Sequence, residues 1–272
     1  MRRLINTKVE RGPALVLALL PFALVIILYA MGSAERLAEN PNDKLLPGWT
    51  AMLDAIDRMA FEPDKRTGDY LLWTDTYASL VRLFAGVASA TIVSLILGIC
   101  IGILPVVRAT LAPFVATIAM IPPLAVLPIL FIVFGLGETA KIVLIAIGVA
   151  PFMTRDIALR VAELPKEEII KAQTLGANTW QIIFRVVLPQ IWPRLIDSVR
   201  LSLGAAWLFL ISAEAIASQS GLGYRIFLLR RFLAMDVILP YVAWITLLAV
   251  IIDATLRLMQ GRLFPWFQGG RG

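Results

Sequence analysis

Six long apolar runs dominate this chain and alternate with polar connections of unequal length. They cover residues 14–31, 80–104, 111–134, 139–153, 196–217 and 237–258. A membrane-spanning helix needs about 20 predominantly apolar residues. Lipid admits only helices or closed barrels, because every backbone polar group must be satisfied internally. The pattern therefore predicts an all-α membrane protein with six transmembrane helices.

The first long connection, residues 32–77, contains a shorter amphipathic segment, LPGWTAMLDAIDRMAF. Its apolar positions recur at helical spacing, at Trp49, Met52, Leu53, Ile56, Met59 and Ala60. This periodicity predicts a short helix lying at the membrane surface. Two interpretations remain open for that helix, namely packing on its own domain and docking of another protein.

The second long connection, residues 154–195, concentrates charge and proline between two apolar runs. Pro165 fits the first turn of a helix, where its missing N–H has no intrahelical partner to lose. Glu167 and Glu168 follow it, and carboxylates are favourable near the N-terminus of the helix dipole. Gly176 can adopt the left-handed conformation of a C-terminal cap. We therefore expect a short helix from about residue 165 to residue 175.

A second short helix is predicted directly after Gly176. Asn178 or Thr179 is a suitable N-cap, and the helix is expected to run to about residue 187. Leu188 and Pro189 are expected to stop it, and Pro193 to let the chain turn into the fifth span.

Both short helices carry apolar residues outside the predicted bilayer. These residues are Ile169, Ile170, Ala172, Leu175, Trp180, Ile183 and Phe184. An apolar helical surface held in water favours a protein partner, and the expected mode is a helix that lies in a groove of that partner.

Composition and charge agree with a bilayer protein and indicate its orientation. Hydrophobic residues make up 59% of the 272 residues, charged residues 16%, and the formal net charge is +6. Lys and Arg are more frequent at the two chain ends and in the second and fourth loops than in the other loops. The positive-inside rule then places both termini in the cytoplasm. The positive charge suits anionic lipid headgroups, and it forms no basic stripe of the kind that binds nucleic acid.

The residue inventory argues against an enzyme. The chain has one cysteine, Cys100, and no histidine, so it lacks a disulfide framework and the commonest general base and metal ligand. It also lacks the G-x-x-x-x-G-K-[ST] motif that cradles nucleotide phosphates. We expect no cofactor or metal in this chain, and an intramembrane enzyme has no recognisable nucleophile here.

Glu214 is the clearest candidate for a functional polar residue inside a span, because ionisable groups in lipid are expensive. It lies toward the outer end of the fifth span, with Ser218 and Gln219 nearby. These three residues are candidates to line or gate a translocation path. The alternative is a structural ion pair or hydrogen bond, for instance from Glu214 to Lys141 or Arg82.

Three prolines interrupt the third apolar run at Pro122, Pro123 and Pro128. They must break its backbone pairing, which is tolerated at membrane depth where protein covers the gap or where it lines a cavity. The third span is therefore predicted to border a translocation path, and a kink used only for packing is the alternative.

Other charged residues in the spans have simpler explanations. Asp253 and Arg257 are spaced to form an i, i+4 ion pair. Glu138 and Lys141 lie near the outer end of the fourth span, where they are expected to extend toward water.

The fourth loop resembles a known signature. Gly176, nine further positions and then VVLP resemble the EAA loop of the permease subunits of bacterial ABC importers, which reads E-A-A, three residues, G, nine residues, I-x-L-P. Gly176, Leu188 and Pro189 match the signature, and Val186 replaces its isoleucine. At its front the chain differs, because Ile170, Lys171 and Ala172 stand where the family has E-A-A. Residues 121–142 and 200–227 are also similar to the nitrate, sulfonate and taurine group of these permeases.

The resemblance implies a six-span permease with the type I ABC importer, or MetI-like, fold. Residues 76–262 would form the permease domain with a coupling loop at 154–195, preceded by residues 1–75 and followed by a cytoplasmic tail, 263–272. Two copies would form the path in the bacterial inner membrane, expected as a homodimer. Two cytoplasmic ATPase subunits would bind ATP and Mg, and a periplasmic solute-binding protein would deliver the substrate.

The same resemblance assigns roles to residues of the fourth loop. Contact with the ATPase is expected at Pro165, Glu168, Ile170, Lys171, Ala172, Leu175, Gly176, Ala177, Leu188 and Pro189. The substrate would be a small polar solute, such as nitrate, a sulfonate, taurine, bicarbonate or a small nitrogenous compound. An ATP-independent secondary transporter is the alternative, and it would predict inverted repeats with matching broken helices.

Overall fold

The computed structural model describes residues 11–41, 43–65 and 67–268, and this part of the chain contains helices and connecting turns. Residues 1–10 and 269–272 of the predicted tails, with the basic residues there that support the orientation, lie outside the described residues. The helices are α1 (Arg11–Glu39), α2 (Trp49–Ala60), α3 (Leu71–Ile103), α4 (Pro105–Ile118), α5 (Pro123–Phe134), α6 (Glu138–Ala162), α7 (Lys166–Thr174), α8 (Thr179–Ile182), α9 (Leu188–Ala217), α10 (Leu222–Arg230), α11 (Met235–Leu263) and α12 (Pro265–Gln268).

The predicted all-α architecture is confirmed. In the described residues, α1, α3, α6, α11 and the continuous helix Thr179–Ala217 are long and apolar enough to cross a membrane. A sixth crossing exists if α4 and α5 form one bent span. The helices extend beyond the predicted apolar runs, because helical hydrogen bonding continues through polar residues at the span ends.

The centre of the fold is the parallel pair α3 and α6. Small buried residues recur at every fourth position of α3, at Gly86, Ala90, Ser94, Gly98 and Gly102. A Cβ atom added at one of the three glycines would lie 2.5 to 2.6 Å from side-chain atoms of Ile145, Ile157 or Val161 on α6. Such close approach brings many atoms into van der Waals contact, which is a main source of helix association in lipid.

The third apolar run, the predicted span 111–134, is broken in the structure, as its prolines predicted. It forms α4 and α5, whose axes meet at 94° across a short break. Pro122 is the N-cap of α5 and Pro123 its first residue, whereas Pro128 lies inside α5. Two successive residues without an N–H cannot continue the hydrogen bonds of α4, so the helix ends there and restarts.

The predicted stop at Leu188 and Pro189 is wrong. The chain runs helically from Thr179 to Ala217, and Pro193 lies buried within α9 instead of turning the chain. A π-helical turn, Ile183–Val187, precedes the proline, and the Leu188 N–H donates to the Ile183 carbonyl. This wider turn accommodates Pro189, which has no N–H of its own to donate.

The amphipathic helix of the first loop is confirmed as α2. It packs against α3 and α11, and its buried residues Ala55, Met59 and Ala60 belong to the hydrophobic core. Trp49 and Leu53 on the same helix are exposed. Packing on its own domain, one of the two predicted alternatives, therefore accounts for part of its apolar surface.

The α3–α6 packing makes a direct prediction for stability. Gly98→Ala places a methyl group 2.6 Å from Ile157, so overpacking is expected to lower the free energy of unfolding by about 1–3 kcal/mol. Gly204→Ala on α9 is the matched control, because a Cβ there has no neighbour within 4 Å. Thermal unfolding of the purified protein in detergent measures both. Equal Tm values for the two variants would contradict the close packing.

Candidate functional site

The turn between α7 and α8 is a rigid, fully hydrogen-bonded cap. Gly176 has φ +81°, a left-handed conformation that L-residues rarely adopt. Its N–H donates to the Gln173 carbonyl (2.9 Å), and the Ala177 N–H donates to the Ala172 carbonyl (3.0 Å). These are the two bonds of a Schellman motif. The predicted role of Gly176 as the end of the first short helix is confirmed.

The second short helix begins with a capping box. The Asn178 side chain accepts from the Gln181 N–H at 2.9 Å, and the Gln181 side chain accepts from the Asn178 N–H at 2.8 Å. The reciprocal pair satisfies two backbone donors that the helix start would leave free. Asn178, one of the two predicted caps, is thus the N-cap.

The apolar residues of this helical pair divide into two groups. Ile169, Ala172 and Ala177 pack partly buried against the hydrophobic core, and Ile182, Ile183 and Val187 belong to it. The other group projects outward and consists of Ile170, Leu175, Trp180 and Phe184, which are 55%, 88%, 67% and 59% exposed. The Trp180 and Phe184 rings stack, with centroids 6.1 Å apart. The pair is therefore anchored on one side and presents an apolar surface on the other.

The remaining predicted coupling residues lie around the same pair. Pro165 is the N-cap of α7, and Lys171 is exposed in its last turn. Glu168 accepts a hydrogen bond of 2.7 Å from the Gln190 side chain. Leu188 and Pro189 form the first turn of α9. The Glu168–Gln190 bond thus ties α7 to the base of the long helix that α9 continues.

Glu214 is fully buried at the opposite end of that long helix. Its carboxylate accepts hydrogen bonds from Ser79 Oγ (2.8 Å), Arg82 Nη1 (2.7 Å) and the Gly223 N–H (2.8 Å). This is the structural ion pair that the sequence left open, with Arg82 as the partner. A path-lining role for Glu214 stays a prediction.

The bonds of Glu214 belong to a larger polar cluster. Arg82 also pairs with Glu138 and donates to the Ser220 carbonyl at 2.7 Å. Lys141 Nζ lies 2.9 Å from Glu138 and is only 2% exposed, so its predicted extension toward water is wrong. A buried ammonium group needs a counter-charge in place of water, and Glu138 provides it.

A second ion pair adjoins the first. Asp75, fully buried, accepts from Arg225 Nε at 2.8 Å, from the Gly221 N–H at 2.9 Å and from Tyr241 Oη at 3.3 Å. Together the two networks contain three basic and three acidic side chains, and we call them the outer polar cluster after the predicted position of Glu214 at the outer end of its span. Opposite charges join α3, α6, α9 and α10 at one end of the bundle, and the hydrogen bond from Tyr241 adds α11.

Asp75 and Ser79 were missed by the sequence reasoning. The predicted second span began at residue 80, which left both residues outside it. The apolar or small residues Leu72, Ser79 and Leu83 continue the helical spacing of the span upstream. That periodicity, followed beyond the apolar run, could have placed Asp75 on the buried face of α3.

The other path candidates have different surroundings. Ser218 is the C-cap of α9, and its buried Oγ has no hydrogen-bond partner among the described residues. Gln219 is exposed, and Pro122 and Pro123 lie at the break between α4 and α5. Their role along a path stays a prediction.

Asp253 and Arg257 form the predicted pair at 3.1 Å. Arg200 on α9 also pairs with Asp253, at 2.7 Å. Asp253 thus links α11 to α9 as well as to its own helix.

Comparisons with known proteins agree on one family. Residues 84–268 match the model described as binding-protein-dependent transport system inner membrane component. The taurine transport system permease protein TauC of Escherichia coli (strain K12) is 36% identical over 198 residues, which is 73% of this chain and 72% of that protein. The putative aliphatic sulfonates transport permease protein SsuC of Bacillus subtilis (strain 168) is 30% identical over 190 residues, 69% and 68% of the two chains.

A solved structure has the same fold. The MetNI methionine ABC transporter in an inward-facing conformation aligns with a TM-score of 0.61 at 21% identity, covering 74% of this chain and 97% of that one. At this identity the likeness concerns the fold alone.

Burial in the outer polar cluster predicts that removing the Glu214 carboxylate lowers the free energy of unfolding more than removing the Asp253 carboxylate, which lies outside the cluster. Glu214→Ala leaves Arg82 with the half-exposed Glu138 as its carboxylate partner and leaves Ser79 Oγ and the Gly223 N–H without their acceptor, so a loss of about 3 kcal/mol in the free energy of unfolding is expected. Asp253→Ala is the control, because the Asp253 side chain is 34% exposed and a solvated pair contributes about 1 kcal/mol or less. Thermal unfolding in detergent compares them. A Glu214→Ala variant with unchanged Tm but no transport would instead indicate a role in the path.

Proposed function

The chain belongs to the family of binding-protein-dependent transport system inner membrane components. On that premise we propose that it forms the translocation path for a small sulfonate and that an ATPase drives transport by binding α7 and α8. The chain is the permease component of an ABC importer. The observation that carries the coupling proposal is the α7–α8 pair, anchored on the bundle and exposing Leu175 at its rigid turn. ATP binding and hydrolysis are assigned to a separate ATPase chain, since this sequence has no G-x-x-x-x-G-K-[ST] phosphate-binding loop.

The exposed surface of α7 and α8 has the properties of a docking element. Leu175 is 88% exposed beside the left-handed Gly176, so it projects from the turn without support from its own chain. Ile170, Trp180 and Phe184 extend the apolar area on both sides. An apolar helical surface of this kind is buried when it lies in a groove of a partner, and the cap keeps its shape fixed before binding. We assign that groove to the ATPase.

Movement of this element would reach the far end of the bundle through one helix. Residues Thr179–Ala217 form a continuous helix of 39 residues, roughly 60 Å long at 1.5 Å per residue. Its first turns belong to α8, and its last turns carry Glu214 in the outer polar cluster. ATP-driven approach of two ATPases would shift the α8 end, and the rigid helix would carry that shift to the outer end. Alternating access then follows as a shift between two states.

The proposed transporter is an assembly of several chains. Two copies of this permease, expected as a homodimer, would enclose the path, and two ATPases with ATP and Mg would bind on the side of α7 and α8. Both termini are assigned to that cytoplasmic side of the inner membrane. A solute-binding protein would deliver the substrate at the side of the outer polar cluster.

The substrate class rests on the relatives. TauC is named for taurine and SsuC for aliphatic sulfonates, and both solutes carry a sulfonate group. We therefore narrow the predicted polar solutes to small organic sulfonates. In a binding-protein-dependent system the delivering protein contributes to this selectivity.

The coupling proposal is tested at Leu175. Leu175→Asp is expected to reduce co-purification of the ATPase by about tenfold or more, because a charge would be buried at the centre of the contact. Folding should be retained, since Leu175 is 88% exposed. Leu263→Asp is the control, because Leu263 is also exposed (57%) and lies outside α7 and α8. If both variants retain the ATPase, the contact lies elsewhere, and Gly176→Trp combined with Leu175→Asp extends the test across the turn.

The transport proposal is tested in proteoliposomes that contain the complete transporter and its binding protein. Uptake of labelled taurine is expected to require ATP and to fall when a short alkanesulfonate competes. Nitrate at the same concentration is expected to compete less. Uptake that continues without ATP and follows an ion gradient would support the secondary transporter instead. ATP-dependent uptake of another solute only would contradict the sulfonate assignment.

A further inference from the structure

A groove between α4 and α6 lies at the same end of the bundle as α7. Its volume is about 360 Å³. The C-terminal turn of α3 forms its base and the last turns of α6 form one wall. The groove is therefore separate from the outer polar cluster and from the exposed face of α7 and α8.

Two arginines line this groove without a carboxylate partner. Arg108 donates from Nε to the Ile101 carbonyl at 3.0 Å and from Nη2 to the Gly102 carbonyl, and so caps the end of α3. Arg155 is exposed and forms no hydrogen bond or ion pair with the described residues. Among the residues that the structure describes, no acidic side chain lines the groove. Two positive charges therefore share one concavity with no counter-ion from the described chain.

The rest of the groove is mostly apolar. Besides the arginines and Thr154, its lining consists of Ile101, Ala112, Val115, Ala116, Ala158, Leu159 and Ala162. Alanines on both α4 and α6 leave the space between the helices open, because a methyl side chain does not fill it. Leu159 is 64% exposed, so the apolar wall continues to the surface of the bundle.

We propose that this groove binds one anionic phospholipid from the leaflet on the side of α7. The phosphate would lie between Arg155 and the unbonded part of the Arg108 guanidinium, and an acyl chain would lie along the alanine walls. Charge and shape both select an anionic amphiphile: a free anion would leave the apolar walls wet, and a zwitterionic lipid would bring its own cation close to the two arginines. Basic pockets between spans recognise anionic headgroups in this way.

The assignment to the cytoplasmic leaflet rests on the proposed orientation, whereas the lipid site itself does not. Bound lipid would hold α4 against α6, and α4 leads directly into the break before α5. A ligand that binds the folded state also stabilises it. Lipid binding is therefore measurable without any transport assay.

The test is native mass spectrometry of the complete, delipidated transporter complex with added lipid. Dioleoyl phosphatidylglycerol is expected to remain bound at concentrations where dioleoyl phosphatidylcholine does not. Arg155→Gln should weaken phosphatidylglycerol binding about fivefold, the effect of about one arginine near an anionic lipid, and Arg155→Lys should retain most of it. Ala116→Phe should also weaken binding, because it fills the groove and leaves both charges in place. Arg262→Gln, an exposed arginine of α11 outside the groove, should change nothing.

Several results would overturn the proposal. One is equal binding of phosphatidylglycerol and phosphatidylcholine, and another is an equal effect of Arg155→Gln and Arg262→Gln. Glycerol 3-phosphate, which has the anion without the chains, should not displace the lipid at equal concentration, and full displacement would indicate a site for free anions. Lipid binding that survives when taurine uptake or ATPase contact is absent would reject the proposed function and leave this site intact.

Discussion

The close contact between α3 and α6 is the constraint on which the rest of the structure depends. Lipid chains are as apolar as leucine, so helices gain little from burying apolar surface against each other and depend on dense packing. Gly86, Gly98 and Gly102 of α3 let the branched side chains of α6 approach its backbone. Helix α9 then packs on α6, and α4 and α5 pack around the same pair. A bulky residue at Gly98 would therefore disturb more than one interface.

The charged residues are arranged at the two ends of this packed centre. The outer polar cluster balances its charges, so burial of Asp75, Lys141 and Glu214 leaves none of them without a counter-charge. The other end has ion pairs with solvent access, the exposed surface of α7 and α8, and the groove with its unpaired arginines. One continuous helix joins the two ends. This division fits a protein whose driving force enters at one end and whose gate lies toward the other.

Local sequence rules predicted the turn between α7 and α8 well. Gly176 and Asn178 act through their own backbone geometry and through partners within five residues, so their positions alone identify the two caps. The proline rules were correct at Pro122 and Pro123 and wrong at Pro189. Pro122 and Pro123 are successive residues without an N–H, so the helix ends before them and a new helix starts. Pro189 is a single proline, and the helix continues through it because a π-helical turn precedes it. Which outcome occurs depends on the packing of Ile183 and Val187, and the sequence pattern does not contain that packing.

The sequence by itself determined the membrane-protein class, the helical architecture, the approximate positions of the spans and the turn between α7 and α8, because these follow from hydropathy, periodicity and local caps. Its resemblance to a permease signature also pointed to the family. Only the tertiary structure decided the partners of Glu214, the burial of Asp75 and Lys141, and the joining of Arg108 and Arg155 in one groove. Arg82 and Glu214 are 132 residues apart in the chain. Contacts over such distances depend on how the helices pack, and no short-range pattern specifies that.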